Sequence, residues 1–416
     1  MLLNISASGV FMKHNTDHHE FMSKAPEKPE VFFLIGSLQV GGAEMHLSMI
    51  TPQLVKRGYA VTVFNLSGRG QLGNDMLEQG VTVIGPPIKA QTGKWNFLNP
   101  GILIISSLKL FLIFLFTRPK IAHFFLPQCY VIGAIMACLT ALPRRVMSRR
   151  SLNFYQNHHR FSAWLEQKLH SSMTAIIGNS KAVVTQLHQD EGVPIENLGL
   201  IYNGISLERF EAPFESKKLR DQMDIGADTL VMTILANLIP YKGHADLLEA
   251  LADISSQLPN DWRLLVIGRD DGIGLSLKNQ ASESELDGNI AFLGPRDDIA
   301  DLLRISNLGI LCSHEEGFSN AILEGMAAGL PMIVTDVGGN AEAVINDKTG
   351  LVVPAHSPSE LGAAILKLTR DAHSRKRMGR AARKRVGQEF SLEACVDQYE
   401  ALYEAIRSDE KLNLEG

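Results

Sequence analysis

Short apolar runs rich in β-branched and aromatic residues alternate with helical patterns along almost the whole chain after residue 30. Such an alternation predicts parallel sheets with helices packed on them. The first series of runs contains VFFLIG (31–36), VTVF (61–64), VTVIG (81–85), IAHFF (121–125), RVMSR (145–149), AIIGN (175–179) and LIYNG (200–204). The second contains VMTILANL (231–238), RLLVIG (263–268), IAFLG (290–294), LGILCS (308–313) and MIVTD (332–336). Two similar α/β halves are therefore expected.

The boundaries of these halves follow from the segments that connect them. Residues 206–228 are polar and contain no clear core strand, so we expect a linker that acts as a hinge. A final helix is predicted from Leu392 to Ile406, with Ser391 as its cap. The predicted organisation is an extension at 1–29, a first domain at 30–210, a second domain at 211–390, and a last helix with its tail at 391–416.

The composition is that of a soluble globular protein. The chain has 416 residues, enough for two domains, with 45% hydrophobic and 20% charged residues. Residues 1–29 lack the apolar core of a signal peptide, and we expect them to be poorly ordered. The four cysteines are scattered and indicate neither a disulfide framework nor a metal site, so a cytoplasmic location is expected.

The charge is distributed unevenly along the chain. The net charge is −5, yet residues 79–165 contain no acidic residue. This acid-free block holds ten basic residues: Lys89, Lys94, Lys109, Arg118, Lys120, Arg144, Arg145, Arg149, Arg150 and Arg160. Such a block attracts an anionic membrane surface, a lipid-linked phosphate or a nucleic acid. The apolar run Ile102–Phe116 within it is too short to span a bilayer comfortably, so it is either a helix of the fold or an interfacial helix.

The segment from Glu315 to Ala343 carries the most specific chemistry. Glu316 and Glu324 are separated by seven residues, and Ser319 is placed to cap a helix that follows it. The free N–H groups of a helix N-terminus suit a phosphate, and a carboxylate on either side can accept hydrogen bonds from sugar hydroxyls. A nucleotide-sugar needs this combination of donors and acceptors. After the helix, a strand runs into the Gly338-Gly339-Asn340 turn, which extends the same crevice.

Three further positions are candidates for the same site. Lys242 follows the strand VMTILANL and opens a helix, where a lysine can reach a phosphate. Gly41 and Gly42 follow the first strand and allow backbone amides to approach a ligand closely. His123 interrupts the apolar strand IAHFF, and is either a core residue or a site residue. The match of residues 68–73 to G-x-G-x-x-G is accidental, because no acidic residue follows about 20 positions later.

The segment EEGFSNAILEGMAAGLPMIVTDVGG, together with LIPYKGH and the GGAE loop, resembles the donor site of the retaining family 4 glycosyltransferases. The resemblance covers nearly the whole chain after residue 30 and is strongest from 231 to 354. It implies two Rossmann-like domains that face each other across a cleft (the GT-B fold), with the last helix crossing back onto the first domain. One departure is Asn237, which stands where the family usually has an arginine; Arg296 or a residue of the basic first domain is expected to replace that charge.

The resemblance also implies an activity and a set of roles. The protein is expected to move a sugar, with retention, from a nucleotide-diphosphate-sugar to a saccharide, which the basic block suggests is lipid-linked and held at an anionic membrane. No metal, cofactor or nucleic acid is expected to take part, since protein cations stabilise the leaving diphosphate. By this resemblance Lys242 binds the diphosphate and Glu324 binds the ribose. The donor sugar is contacted by Glu316, by His123 and by the backbone of Gly317, Phe318, Ser319 and Asn320. Gly41 and Gly42 face the donor from the first domain.

Two alternatives remain open from the sequence. A nucleotide-sugar 2-epimerase of similar architecture would act on the sugar nucleotide alone. The second alternative is a membrane-associated scaffold that has lost catalysis. Asn237, in place of the family's arginine, favours it.

Overall fold

The computed structural model of the chain describes residues 30–67, 70–86, 100–158 and 160–408. The predicted extension at 1–29, the end of the tail from 409, the accidental glycine motif at Gly68 and Arg69, and the basic residues Lys89 and Lys94 lie outside the described residues.

The first domain is a seven-stranded parallel sheet in the order β3-β2-β1-β4-β5-β6-β7. Its strands are β1 (Glu30–Ile35), β2 (Ala60–Asn65), β3 (Thr82–Ile84), β4 (Ile121–Phe125), β5 (Arg145–Arg149), β6 (Ala175–Gly178) and β7 (Leu198–Leu200). Its helices are α1 (Gly42–Lys56), α2 (Gly70–Glu78), α3 (Pro100–Thr117), α4 (Pro127–Leu139), α5 (Arg160–His170) and α6 (Lys181–Gln189). The central strand β1 is buried on both faces, which explains its continuous apolar sequence.

The second domain repeats this plan with a six-stranded parallel sheet in the order β10-β9-β8-β11-β12-β13. The strands are β8 (Leu230–Leu235), β9 (Trp262–Ile267), β10 (Ile290–Gly294), β11 (Leu308–Leu311), β12 (Met332–Thr335) and β13 (Gly350–Val353). The helices are α7 (Glu208–Glu211), α8 (Ser216–Gln222), α9 (His244–Ile254), α10 (Gly274–Glu283), α11 (Ile299–Arg304), α12 (Asn320–Ala327), α13 (Asn340–Ala343), α14 (Pro358–Arg370) and α15 (Ala372–Glu389). The last helix, α16 (Leu392–Ser408), follows the second domain in sequence.

The predicted fold, two Rossmann-like domains, is confirmed, and eleven of the twelve predicted strands coincide with strands of the sheets. The strand predicted at 200–204 is displaced, since β7 ends at Leu200. Strand β13 was not predicted, because GLVV is only four residues long. In both sheets the strand order reverses beside the first strand of the domain, at β1/β4 and at β8/β11. Ligands of such sheets bind outside the carboxyl ends of the strands at this reversal. A ligand of the second domain is therefore expected at the loops after β8, β9, β11 and β12.

The chain crosses between the domains twice, at adjacent points. Ile205 and Ser391 pair as an isolated parallel bridge, with Ile205 N donating to Phe390 O at 3.0 Å and Leu392 N donating to Ile205 O at 2.9 Å. Helix α16 then packs against α1 of the first domain, as the resemblance implies for the last helix. The expected linker at 206–228 differs from what the structure shows, because that segment folds into α7 and α8, which pack on α11. The chain crosses between the domains before it, at Ile205.

The apolar run of the acid-free block forms the long helix α3. One side of α3 packs into the first domain through Leu110 and Phe114, which are fully buried. The opposite side leaves large apolar side chains in solvent: Ile104, Ile105, Leu108, Leu112, Leu115 and Phe116. Within the described residues, no helix combines the length and apolarity needed to cross a membrane.

Candidate functional site

The candidate site lies where the loops after β8 and β11 meet. Lys242 ends the short turn that follows β8, and Glu316 lies in the loop between β11 and α12. Lys242 Nζ is 2.6 Å from Glu316 Oε1, and that oxygen also accepts a hydrogen bond from Ser313 Oγ at 2.9 Å. Both charged side chains are largely shielded, at 18% and 10% exposure. Two residues assigned to the donor from the sequence are thus brought together by the fold.

The ion pair has a defined charge state. Burial alone would lower the pKa of Lys242, but the charge of Glu316 and the hydrogen bond to it outweigh burial and raise that pKa above its ordinary value. Lys242 is therefore a fixed cation at neutral pH. A fixed cation at the end of a strand is suited to a phosphate oxygen.

Two glycines allow these loops to approach each other. Gly243 has φ +72°, and a side chain there would collide with the carbonyl oxygen of Cys312. Gly338 has φ +52°, and a side chain there would collide with the carbonyl oxygen of Glu316. Left-handed backbone in direct contact with a neighbouring carbonyl requires glycine. The turn at Gly338, predicted from the sequence, therefore packs directly against the Glu316 loop.

Helix α12 begins directly after this loop. Ser319 occupies the N-cap position, as predicted, although its side chain makes no capping hydrogen bond. Phe318 is buried, with its ring 4.9 Å from the Tyr202 ring and 5.3 Å from the Phe390 ring. Asn320 Nδ2 donates to Gly42 O of the first domain at 3.1 Å. The predicted donor loop and the predicted glycine loop thus face each other across the interdomain cleft.

Glu324 lies one turn inside α12 and is partly buried. Within the described residues its carboxylate makes no hydrogen bond or ion pair. Burial raises its pKa to about 7, and the more distant charge of Arg209 opposes this only in part. A buried carboxylate without partners is an acceptor available to ligand hydroxyls.

The first-domain wall of the cleft is built from the ends of β1, β5 and the segment after β7. Arg150 donates to Asn203 Oδ1 at 2.5 Å, and Asn203 Nδ2 donates to Phe318 O at 2.9 Å. A side chain at Gly42 would meet no atom within 4 Å, so the glycine loop opens onto free space. Gly41 is the N-cap of α1 with an extended backbone.

The expected role of His123 at the sugar requires a correction. Its side chain is fully buried under α16, with Nδ1 2.8 Å from Tyr403 Oη and Nε2 2.8 Å from Ser148 Oγ. Burial, reinforced by Arg150, lowers its pKa to about 3, so the ring is neutral. The ring lies on the face of β4 that carries the contact with Tyr403 of α16, and the structure therefore places it in the core.

Three arginines of the acid-free block bond to other groups of the protein. Arg149 is 1% exposed and forms ion pairs with Glu166 at 2.7 Å and Glu191 at 2.9 Å. Arg144 donates to Ile406 O and Arg145 to Ser172 O. Arg149 is thus committed to internal carboxylates, whereas Arg144 and Arg145 are half-buried and donate to backbone carbonyls.

Several residues at the cleft were missed from the sequence. Glu342 accepts hydrogen bonds from Lys181 N at 2.8 Å, Ala182 N at 2.9 Å and Tyr202 Oη at 2.9 Å, and so ties the second domain to the N-terminus of α6. Arg269 follows β9; its backbone N–H donates to Asn237 Oδ1 at 3.1 Å, and its side chain pairs with Asp271 at 2.7 Å. The contacts of Glu342 and the hydrogen bond from Arg269 to Asn237 join positions remote in sequence, so no local pattern reveals them.

A cavity of about 540 Å³ opens in the first domain beside the cleft. Its lining is partly polar, and it is formed where β4 and β5 end: Leu126, Pro127, Gln128, Cys129, Ser151, Tyr155, Gln156, Ser162 and Ala163. Phe161 and Trp164, on the same helix as Ser162, are 76% and 54% exposed. A pocket of this size admits a sugar residue with apolar groups beside it.

Comparison with known families agrees with the two-domain division. The profile described as "Glycosyltransferase Family 4" matches residues 40–209. The profile described as "Glycosyl transferases group 1" matches residues 215–385.

Two curated relatives show the level of similarity. The chain is 28% identical over 218 residues to N-acetyl-alpha-D-glucosaminyl L-malate synthase of Bacillus anthracis, a match that covers 52% of this chain and 56% of that protein. It is 27% identical over 312 residues to the capsular polysaccharide biosynthesis glycosyltransferase CapM of Staphylococcus aureus, covering 72% of this chain and 80% of that protein. The match to the first relative thus spans little more than half of that relative's length.

Solved structures share the fold. Alr3699/HepE of Anabaena, in complex with UDP and glucose, has a TM-score of 0.79 at 22% identity, covering 91% of this chain and 100% of that one. Sucrose-phosphate synthase of Thermosynechococcus elongatus has a TM-score of 0.78 at 19% identity, covering 92% and 100%. At these identities the likeness establishes the two-domain architecture and nothing finer.

Proposed function

The chain belongs to the family 4 glycosyltransferases of group 1, and on that premise we propose that it moves a sugar, with retention, from a nucleoside-diphosphate-sugar to a saccharide acceptor. The observation that carries this proposal is the Lys242–Glu316 ion pair at 2.6 Å beside the N-terminus of α12. A cation, free amides and a carboxylate within one crevice are what a nucleoside-diphosphate-sugar requires.

The diphosphate is assigned to Lys242 and the α12 amides. Lys242 is cationic and held in place by Glu316. The side chain of Ser319 leaves the first amides of the helix uncapped, so these N–H groups point at an incoming anion. Fixed donors aimed at the charge that develops on the leaving group act without reorganisation. In this proposal the protein's own cations, and no metal ion, stabilise the leaving diphosphate.

Arg269 is proposed to supply the charge that Asn237 lacks. Asn237 fixes the backbone of Arg269 through the 3.1 Å hydrogen bond, so the two positions are neighbours. The guanidinium is about half exposed and lies within electrostatic range of Glu44 in the first domain, which directs it toward the cleft. Arg296, the alternative considered from the sequence, forms the same kind of ion pair, with Asp298 at 2.6 Å, but within the described residues it makes no hydrogen bond with Asn237.

The ribose and the transferred sugar are assigned to the two glutamates. Glu324, whose carboxylate has no partner in the part of the chain that the structure describes, accepts from the ribose hydroxyls. Glu316 and the backbone of residues 317–320 accept from and orient the transferred sugar, beside Gly42 of the opposite domain, to which Asn320 is bonded at 3.1 Å.

Retention is proposed to follow a front-face route in which the leaving phosphate takes the acceptor proton. Glu44, the acid of the glycine loop, is 8% exposed and bonded to Ser37, so it is not poised as a nucleophile. Glu166 and Glu191 are committed to Arg149. This distinguishes the site from the paired carboxylates of retaining hydrolases.

The acceptor is proposed to be a lipid-linked saccharide in the synthesis of a surface polysaccharide. The 540 Å³ cavity at the ends of β4 and β5 is the candidate saccharide site. The exposed apolar face of α3, on the same domain, is the candidate membrane contact. The protein would then work at the inner face of the cytoplasmic membrane.

The test begins with the donor. A set of nucleoside-diphosphate-sugars, starting with UDP-sugars because the Anabaena structure was solved with UDP and glucose, is screened for a rise in melting temperature. The stabilising donor is then incubated with and without membrane lipid extract. Acceptor-dependent release of the nucleoside diphosphate supports transfer. Release of a 2-epimer without an acceptor would establish the epimerase, and tight binding without turnover would establish the inactive scaffold.

A further inference from the structure

Three side chains capable of binding a metal converge beside the donor loops and are not used in the proposed transfer. They are Asp246, His314 and His356, and one ligand atom from each lies within 4.8 Å of the other two. His314 Nε2 is 2.9 Å from Asp246 Oδ2, and the His314 and His356 rings have centroids 3.7 Å apart.

The scaffold holds these residues at the ends of three different segments. Asp246 lies in the first turn of α9, His314 lies three residues after β11, and His356 lies three residues after β13. The backbone of His314 is fixed because its N–H donates to Tyr241 O at 2.7 Å. The cluster is therefore formed by one helix turn and two loops that follow strands, and its first and last members are 110 positions apart.

The cluster is shielded yet accessible to an ion. Asp246 and His314 have side-chain exposures of 20% and 19%, while His356 is exposed on the outer side. Cys312 is close in sequence but is not a ligand, since its thiol donates to Gly243 O at 3.1 Å and burial raises its pKa to about 12.

We propose that Asp246, His314 and His356 bind a divalent transition metal of the Zn²⁺ class. Two imidazoles and one carboxylate form the ligand set that Zn²⁺ accepts, whereas Ca²⁺ and Mg²⁺ require mainly oxygen ligands. Tetrahedral Zn²⁺ with bonds of about 2.0–2.1 Å separates its ligand atoms by about 3.3 Å. Rotation of the exposed His356 ring is required to close the present spread of 4.8 Å to that value. A water completes the fourth position.

The site is separate from the diphosphate chemistry. Its ion would join α9, the loop before α12 and the turn before α14, and so restrain the loop that carries Glu316. The metal is thus a clamp on the donor loop and not a Lewis acid for the leaving group. This inference depends on the geometry of the cluster and stands whether or not the chain transfers a sugar.

The test measures zinc binding directly. The chain also carries His14, His18 and His19, so all variants are made in a background with these three replaced by Ala. After dialysis against a chelator, ZnCl₂ is added in equilibrium dialysis and bound zinc is measured by mass spectrometry. We expect one zinc per chain, a zinc-dependent rise in melting temperature, and, with CoCl₂, the intense visible absorption of a four-coordinate site.

His356→Asn and Asp246→Asn should each weaken zinc binding by at least about tenfold and abolish the cobalt absorption, since one of three protein ligands is lost. His373→Asn, at an exposed histidine on α15, is the matched control and should bind as the parent does. Because His356 is exposed, its variant is expected to fold, which circular dichroism verifies. Zinc binding that is equal in all variants, or absent from the parent, overturns the proposal.

Discussion

Lys242 Nζ lies 2.6 Å from Glu316 Oε1, and this contact joins two loops whose residues are 74 positions apart. It connects the first strand of the second sheet to the strand beside it, across the reversal in strand order. A diphosphate at this crevice would take Lys242 as its cation, and the transferred sugar would take Glu316 as its acceptor. The two residues are therefore expected to respond differently to mutation.

Lys242→Ala is expected to lower kcat/KM by at least about 100-fold, the effect of removing one preorganised charge stabiliser. Steady-state kinetics with the donor found in the thermal screen measures it. Lys348→Ala, at an exposed lysine of the same domain, is the matched control. Near-normal kinetics for the Lys242 variant would remove this residue from the diphosphate site.

Glu316→Gln is expected to reduce turnover while nucleoside diphosphate binds at least as tightly as before. The physical reason is that Lys242 loses its internal anion and is freed for phosphate. Isothermal titration with the nucleoside diphosphate and a single-turnover assay give the two quantities. Loss of nucleotide binding, with turnover at saturation unchanged, would contradict the assignment.

Glu324 is expected to make nucleotide binding depend on pH. Its pKa is raised to about 7, and ribose hydroxyls donate to the charged form. Binding should therefore strengthen as pH rises toward 7, and weaken by up to about tenfold per unit as pH falls below it. Glu324→Ala should lose roughly 1.5–3 kcal/mol of binding free energy.

The free protein gives an independent check on the same group. Between the ordinary pKa of 4.5 and about 7, the folded state binds more protons at Glu324 than the unfolded state does. The contribution of this group to stability is thus largest at acid pH and declines as pH rises through that window. Glu324→Gln should flatten both pH profiles. Profiles that match those of the wild type would show that another group titrates.

Glu342→Ala is expected to loosen the contact between the domains. Its carboxylate accepts two backbone amides at the N-terminus of α6 and the Tyr202 hydroxyl, all from the first domain or the segment leading out of it. Small-angle scattering should show a larger radius of gyration, and the donor KM should rise. Glu360→Ala, an exposed glutamate in the first turn of α14, is the control. An unchanged scattering curve would show that other contacts set the domain arrangement.

Membrane binding is expected to depend on the apolar face of α3. Leu108→Ser with Phe116→Ser should reduce sedimentation with anionic vesicles several-fold, because these side chains are 57% and 79% exposed. Leu275→Ser, at a leucine 74% exposed in the second domain, is the control. Salt should weaken binding only modestly, since Arg144, Arg145 and Arg149 are engaged internally. Equal binding by both variants, or none by the wild type, would favour a soluble acceptor.

Arg149→Gln is expected to act on stability and not on membrane binding. Removing one partner of a buried ion pair leaves Glu166 and Glu191 uncompensated at 0% exposure. The cost is about 3–5 kcal/mol of unfolding free energy, measured by chemical denaturation. Lys120→Gln, at an exposed position after α3, should leave stability unchanged.

The sequence by itself determined the architecture. Continuous apolar strands alternating with amphipathic helices are consistent with two parallel sheets, and eleven of the twelve predicted strands coincide with strands of the fold. The sequence also predicted that the loops carrying Lys242, Glu316 and Gly338 lie together, because each follows a strand, and the carboxyl ends of parallel strands share one edge of a sheet. Local spacing was sufficient where strand, turn and helix follow one another directly.

The tertiary structure decided which side chains meet. His123 has the same neighbours in sequence whether its ring faces the cleft or the core, and only the packing of α16 over β4 assigns it to Tyr403 and Ser148. The arginines of the acid-free block lack acidic neighbours in sequence, yet Arg149 finds Glu166 and Glu191 through the fold. Asp246, His314 and His356 are likewise brought together only at the ends of separate elements. Contacts of this kind depend on distances in space, and a sequence records only distances along the chain.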